Sequence, residues 1–81
     1  MIPRVASVQY VGEYVVHIRF SDNTEGDLDL GDELYGEIFE PLKDQRRFAQ
    51  VAVHPEFHTL VWPNGADFAP EFLYEMIHAS V

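Results

Sequence analysis

Hydrophobic and polar residues alternate along the first part of the chain. Val16, Ile18 and Phe20 are apolar, whereas the residues between them are polar. Alternation with a period of two is typical of strands that are buried on one face. The Gly-Glu pair at 12–13 has the form of a two-residue hairpin turn. The pattern predicts a three-stranded antiparallel meander over about residues 4–30.

A second extended region follows an irregular segment. Pro41 lies in that segment and prevents a long helix, so we expect only short helical turns there. Val51 and Val53 then resume the alternation, and an apolar run ends at Trp62. We predict a second hairpin over about residues 48–62.

The last part of the chain has the spacing of a helix. Pro70 suits the first helical position, where its missing N–H group has no partner to lose. Leu73, Met76 and Ile77 recur on one helical face. A helix is therefore predicted over about residues 69–79. The predicted fold class is α+β, with this helix packed on a small antiparallel sheet that is built from the meander and the second hairpin.

Composition indicates one small domain. The chain has 81 residues, 47% of them apolar, and no cysteine. It is predicted to fold as a single domain, residues 1–81, without disulfide bonds. The N-terminus shows no secretion signal, and no apolar run has the length needed to span a bilayer, so we expect a cytoplasmic protein without membrane association.

Acidic residues dominate the charge. Fourteen Asp and Glu residues against five Lys and Arg residues give a formal net charge of −9, and no basic residue lies between Arg19 and Lys43. Such a field repels phosphate groups, so we expect no direct contact with nucleic acid and a basic protein as partner. The alternative is that the acidic excess only keeps the protein soluble. The candidate partner-binding residues are Asp22, Glu25, Asp27, Asp29, Asp32 and Glu33.

The segment from Trp62 to Tyr74 joins the predicted hairpin to the predicted helix. Asn64-Gly65 has the sequence of a tight turn, because glycine adopts positive φ without steric cost. Asp67 lies where a carboxylate stabilises a helix start. The segment therefore has an architectural explanation as a strand-to-helix joint. The alternative is a ligand pocket at the helix N-terminus, formed by Trp62, Asn64 and Asp67.

No pattern of catalytic or metal-binding residues is evident. His54 and His58 are four residues apart, but Pro55 disfavours the helix that would bring both rings to one face. The serines lack a nucleophile motif, and no glycine-rich phosphate loop is present. We assign no catalytic residue, no metal ligand and no cofactor.

The chain resembles a known protein family. The resemblance rests on VVHIRF at 15–20, DLDL at 27–30, FEPL at 39–42 and, most specifically, WPNGADFAPEFLY at 62–74. These sequences are similar to those of the domain-of-unknown-function family DUF2442 over nearly the whole chain. The resemblance implies a small bacterial α+β domain without an assigned reaction.

The resemblance also bears on partners. The resemblance implies a protein that is often encoded beside a second short protein, an arrangement that has prompted suggestions of a toxin and antitoxin pair. Some carry an appended helix-turn-helix domain. Because this chain ends at Val81 without such an extension, we do not carry a DNA-binding role over to it.

Three functional hypotheses follow. We favour a protein–protein interaction module that binds a basic neighbouring gene product, as an antitoxin does, or pairs with itself through exposed strand edges. The alternative is a small-molecule or metal-binding accessory enzyme domain with its site at the Trp62–Tyr74 joint. A structural accessory domain without a ligand is the third hypothesis.

Overall fold

A three-stranded antiparallel sheet forms the first part of the fold. The computed structural model describes residues 2–79, so Met1, Ser80 and Val81 lie outside it and the single domain over residues 1–81 stays a prediction. The strands are β1 (Val5–Gly12), β2 (Val15–Phe20) and β3 (Glu25–Asp29), in the order β1-β2-β3. Both neighbouring pairs are antiparallel, which confirms the predicted meander.

The two turns of the meander differ in how well the sequence predicts them. Gly12 is the last residue of β1, and the positive φ of 50° falls on Glu13, so the turn lies one residue later than predicted. The second turn has positive φ at Asn23, and Asp22 Oδ1 accepts a hydrogen bond from the Thr24 N–H at 2.9 Å. Asp and Asn favour this conformation because their side chains bond the nearby backbone.

Short helical turns connect the two sheets, as predicted. Two 3₁₀ turns span Gly31–Glu33 and Glu40–Lys43, and α1 is a single turn over Gln45–Phe48. Asp44 caps α1 by accepting a hydrogen bond from the Arg46 N–H at 3.0 Å. This cap explains why the end of the segment is helical and not extended.

The second hairpin is present with very short strands. β4 (Ala52–Val53) and β5 (Leu60–Val61) pair in antiparallel fashion. Phe48, which the alternation assigned to the first of these strands, ends α1 instead.

The C-terminal helix, α2 (Pro70–Ala79), packs against the sheet, and the α+β class is confirmed. Leu73 and Ile77 are its buried residues. A Cβ atom at Gly26 would lie 3.5 Å from the Ile77 side chain, an ordinary van der Waals distance, so α2 packs closely on β3 at this position. Within residues 2–79, no helix combines the length and the apolar character that a membrane span requires.

One hydrophobic core joins the two sheets and the helix. Trp62 is 2% exposed, and its Nε1–H donates a hydrogen bond to the Phe48 carbonyl at 2.8 Å. Its indole therefore fills the centre of the core without an unpaired donor. The buried apolar residues are Val5, Val16, Ile18, Phe20, Leu28, Leu30, Leu34, Leu42, Phe48, Leu60, Trp62, Ala66, Leu73 and Ile77.

Candidate functional site

The joint between β5 and α2 is a tight reversal of the chain. Gly65 has φ of 89°, its N–H bonds the Trp62 carbonyl at 2.9 Å, and the Trp62 N–H bonds the Ala66 carbonyl at 3.0 Å. The backbone then pairs Asp67 with Val61 in an antiparallel bridge, which the sequence analysis did not predict. This bridge fixes the direction in which the chain enters α2.

The three candidate pocket residues occupy different places around this joint. Trp62 is buried in the core, whereas Asn64 and Asp67 are exposed. The Asn64 side chain bridges two segments, since its Nδ2 donates to the Ile38 carbonyl at 2.8 Å and its Oδ1 accepts from the Ala66 N–H at 3.1 Å. Of the three residues, Asp67 alone lines the groove described next.

A groove of about 290 Å³ lies beside the joint. One wall comes from residues 33–39 and the other from residues 67–72, and the Asn64–Ile38 hydrogen bond ties the first wall to the turn that precedes the second. We call it the acid-rimmed groove, because it combines aromatic residues with two carboxylates. Its lining residues are Glu33, Tyr35, Phe39, Asp67, Phe68, Ala69 and Phe72.

Aromatic rings form the body of the acid-rimmed groove. Phe68 stacks on Phe39 with ring centroids 4.8 Å apart, and on Phe72 with centroids 5.8 Å apart. The buried Trp62 ring meets Phe68 edge-on at 5.8 Å. Tyr35 is 70% exposed and Phe72 36% exposed. The groove therefore has a supported aromatic floor and two rings that are open to solvent.

The acidic residues of β3 are engaged within the fold. Asp27 Oδ1 lies 2.7 Å from His17 Nδ1, and Glu25 Oε1 lies 3.2 Å from His17 Nε2. The hydrogen bond between His17 and the Asp27 carboxylate is the main cause that raises the pKa of His17 above 6.5. Partial loss of hydration opposes this rise, and the contact with Glu25 adds to it. Asp29 Oδ1 accepts a hydrogen bond from the Gly31 N–H at 2.9 Å.

Asp22 is engaged as well, at the other end of β3. Its Oδ2 accepts a hydrogen bond from the Tyr74 hydroxyl at 2.6 Å, and its Oδ1 accepts from the Thr24 N–H. The Tyr74 bond, followed by the bonds from Thr24, lowers the pKa of the Asp22 carboxyl. We call Asp22, Glu25, Asp27 and Asp29 the strand acids, since all four carboxylates bind groups of the protein itself.

The remaining two candidate partner-binding residues behave differently. Among residues 2–79, the carboxylates of Asp32 and Glu33 make no hydrogen bond or ion pair, and the same holds for Asp67. We call Glu33 and Asp67 the groove acids. The acidic region and the strand-to-helix joint, which the sequence presented as separate candidates, thus meet in one groove.

Positive charge is concentrated elsewhere on the chain. Three of the five basic residues, Lys43, Arg46 and Arg47, lie within residues 43–47. Lys43 pairs with Glu40 at 3.1 Å, whereas the two arginines have no carboxylate partner in the described part of the chain. Arg47 also lines a second groove, of about 310 Å³. Two arginines without a carboxylate partner therefore lie next to each other in the sequence despite the acidic net charge.

The histidines of the second hairpin have structural surroundings. His54 Nδ1 accepts hydrogen bonds from the Glu56 and Phe57 N–H groups, both at 3.0 Å, and its ring stacks on Phe57. Across residues 2–79, no three His, Asp or Glu side chains converge in an arrangement that could hold a metal ion.

Sequence reasoning missed the aromatic part of the groove. Tyr35 stands among acidic residues and fits no buried periodicity, and Phe72 lies next to Leu73 but off the buried face of α2. A large aromatic residue that does not fit the period of its element is the signal that could have found them.

The model of the family described as "Protein of unknown function (DUF2442)" matches residues 5–79. The chain belongs to this family. Comparison with curated proteins finds no match.

Among solved structures, the DUF2442 chain is similar to the crystal structure of a "Putative DNA Binding Protein" from Nitrosomonas europaea. The TM-score is 0.86 at 20% sequence identity, and the likeness covers 99% of this chain and 52% of that chain. The chain thus spans about half the length of the Nitrosomonas protein. At this identity the likeness shows the shared fold.

This finding corrects one expectation. The exclusion of direct nucleic-acid contact on grounds of net charge is wrong, because the same fold occurs in a protein that is described as a "Putative DNA Binding Protein". Net charge sums over the whole chain and misses local clusters such as the one at residues 43–47.

Proposed function

We propose that this DUF2442 domain is a protein–protein interaction module that recognises a basic protein segment. The observation that carries the proposal is the acid-rimmed groove, where the unpaired carboxylates of Glu33 and Asp67 flank exposed aromatic rings. Protein interfaces combine an aromatic centre with a polar rim in the same way.

The partner fits the paired-gene arrangement that the family resemblance implies. An acidic surface raises the association rate with a basic protein and covers the cationic groups on which many such proteins depend. An antitoxin that neutralises a basic toxin would act by covering these cationic groups. The product of the neighbouring gene, where it is basic, is the partner that we propose.

Co-expression with the neighbouring gene product and affinity capture would test this proposal. The complex is expected to form at low salt and to weaken as salt is raised, because rim charges are screened within a Debye length. Glu33→Lys and Asp67→Lys are expected to weaken it further, whereas Glu56→Lys, at an exposed acid of the loop between β4 and β5, serves as the charge-matched control. Absence of any complex at low salt would contradict the proposal.

A second candidate function is contact with DNA. It is favoured by the description of the Nitrosomonas protein and by the clustering of Arg46 and Arg47, which lack carboxylate partners within the described residues. Each arginine that neutralises a phosphate adds to binding and to its salt dependence.

Fluorescence anisotropy with a labelled DNA duplex would test this second candidate. Binding that falls with salt and is lost in the Arg46→Ala/Arg47→Ala double variant would support it. Arg4→Ala/Arg19→Ala, a double change at the two basic residues outside residues 43–47, is the control. Equal loss in both double variants would indicate a general charge effect and no defined site.

A further inference from the structure

The size of the acid-rimmed groove limits what it can hold. Its volume of about 290 Å³ lies just below the roughly 300–1,000 Å³ that ligand pockets enclose. Such a groove accepts one long side chain of a partner more readily than a cofactor. We propose that it is an anchor site for an arginine side chain from a basic protein segment, an inference that rests on the proposed function.

The chemistry of the lining residues selects arginine. The guanidinium group is planar, stacks on aromatic rings and pairs with carboxylates, and the stem of the side chain is apolar. Tyr35 and Phe72 supply exposed aromatic surface, and Glu33 and Asp67 supply the carboxylates. A lysine would retain the charge contact but lose the planar stacking.

The groove is also held open before any partner arrives. Its first wall is fixed by the hydrogen bond from Asn64 to the Ile38 carbonyl, and its floor by the stacking of Phe39 on Phe68. A site whose walls are already ordered loses less conformational entropy on binding. The groove acids have no cation of the protein beside them in the described residues, so an external guanidinium has no internal competitor.

NMR titration of the ¹⁵N-labelled protein would test this inference. The probe is a short synthetic peptide with one arginine between leucines, compared with peptides that carry lysine or citrulline at the same place. We expect chemical-shift changes at residues 33–39 and 67–72, with affinity decreasing from arginine to lysine to citrulline.

Variants make the test specific. Phe72→Ala and Glu33→Gln are each expected to weaken binding of the arginine peptide about two- to fivefold, given the size of exposed cation–π and ion-pair contributions. Phe57→Ala and Glu56→Gln remove an exposed ring and an exposed acid from the loop between β4 and β5, and are expected to leave the affinity unchanged.

Three results would overturn the inference. They are absence of chemical-shift changes, equal affinity for the arginine and citrulline peptides, and wild-type affinity in Phe72→Ala. If the changes map instead to the strand acids, the arginine anchor is wrong while the interaction module stands. Failure of the proposed function is seen separately, as absence of a complex with the neighbouring gene product in the capture experiment.

Discussion

The strand acids and the groove acids are all carboxylates, but the strand acids are bonded within the fold and the groove acids are not. In β3, Asp27 and Glu25 share His17 at 2.7 Å and 3.2 Å. At the groove, the carboxylates of Glu33 and Asp67 have no hydrogen-bond or ion-pair partner within residues 2–79. The availability of a carboxylate to a partner thus depends on the local backbone geometry and cannot be read from the net charge of its segment.

The geometry of each region explains this difference. Pairing between β2 and β3 places His17 directly opposite Asp27 on the outer face of the sheet, where cross-strand neighbours meet. The segment around Glu33 is a 3₁₀ turn without a strand partner. Of this turn, Glu33 lines the groove, and the aromatic rings beside it cannot neutralise its charge.

The largest expected effect comes from removing the support behind the groove. Trp62→Ala is expected to lower the free energy of unfolding by about 3–5 kcal/mol, because it leaves a cavity in the core. Phe72→Ala, at a partly exposed ring of the same groove, is expected to cost less, about 1–2 kcal/mol, because Phe72 is 36% exposed and loses less buried apolar surface. Urea denaturation followed by circular dichroism measures both. Similar losses in the two variants would show that Trp62 does not have a special supporting role.

A smaller effect is expected at the tie between the groove walls. Asn64→Ala removes the bonds to the Ile38 carbonyl and the Ala66 N–H, and should cost about 1 kcal/mol. Amide hydrogen exchange of residues 36–40 should become faster, while exchange in β2 should not. Gln50→Ala, at an exposed residue outside these bonds, is the control. Unchanged exchange would mean that Asn64 does not hold the wall.

The contacts of His17 with Asp27 and Glu25 predict that the free energy of unfolding depends on pH near neutrality. Because the pKa of His17 is raised in the folded state, its stabilising contribution is fully present below 6.5 and is lost as pH rises through the folded-state pKa. The stability difference between the wild type and His17→Gln should therefore shrink as pH rises. Urea midpoints measured across this range test it, with His78→Gln as the control. A constant difference would show that the Asp27 and Glu25 contacts do not persist in solution.

The smallest effect is expected at acidic pH. The pKa of Asp22 is lowered in the folded state, so its contribution is present above the unfolded-state value of 3.8 and is lost as pH falls through the folded-state pKa. Tyr74→Phe removes the hydrogen bond that is the main cause of the lowered pKa of Asp22. The variant should therefore lose less stability than the wild type as pH falls. Because Asp22 is fully exposed, the change in melting temperature should be slight. An identical acid transition in Tyr74→Phe and the wild type would contradict this assignment.

Much of the fold follows from local patterns in the sequence. Alternation around Val16 and Ile18 predicts the meander, and the spacing of Leu73 and Ile77 predicts the helix, because one face of each element must be buried. The one-residue shift to Glu13 and the helical end at Phe48 were not predicted. The strand register decides where the first turn lies, and the cap from Asp44 decides that the segment before Phe48 is helical. The hydrophobic period of the sequence specifies neither.

The site was only partly predictable. Glu33 and Asp67 were recognised, but as members of two separate candidate sites. Their meeting depends on contacts across the chain, above all the bond from Asn64 to Ile38, which are 26 positions apart. No local pattern encodes such a contact.

A single binding titration with the arginine peptide can compare the groove acids with the strand acids through two double variants. Glu33→Gln/Asp67→Asn and Glu25→Gln/Asp27→Asn each remove two negative charges. We predict that the groove variant weakens binding about three- to tenfold, by analogy with exposed ion pairs, and that the strand variant changes it little. Equal weakening in the two variants, or a larger effect in the strand variant, would show that the groove acids are not the carboxylates available to a partner.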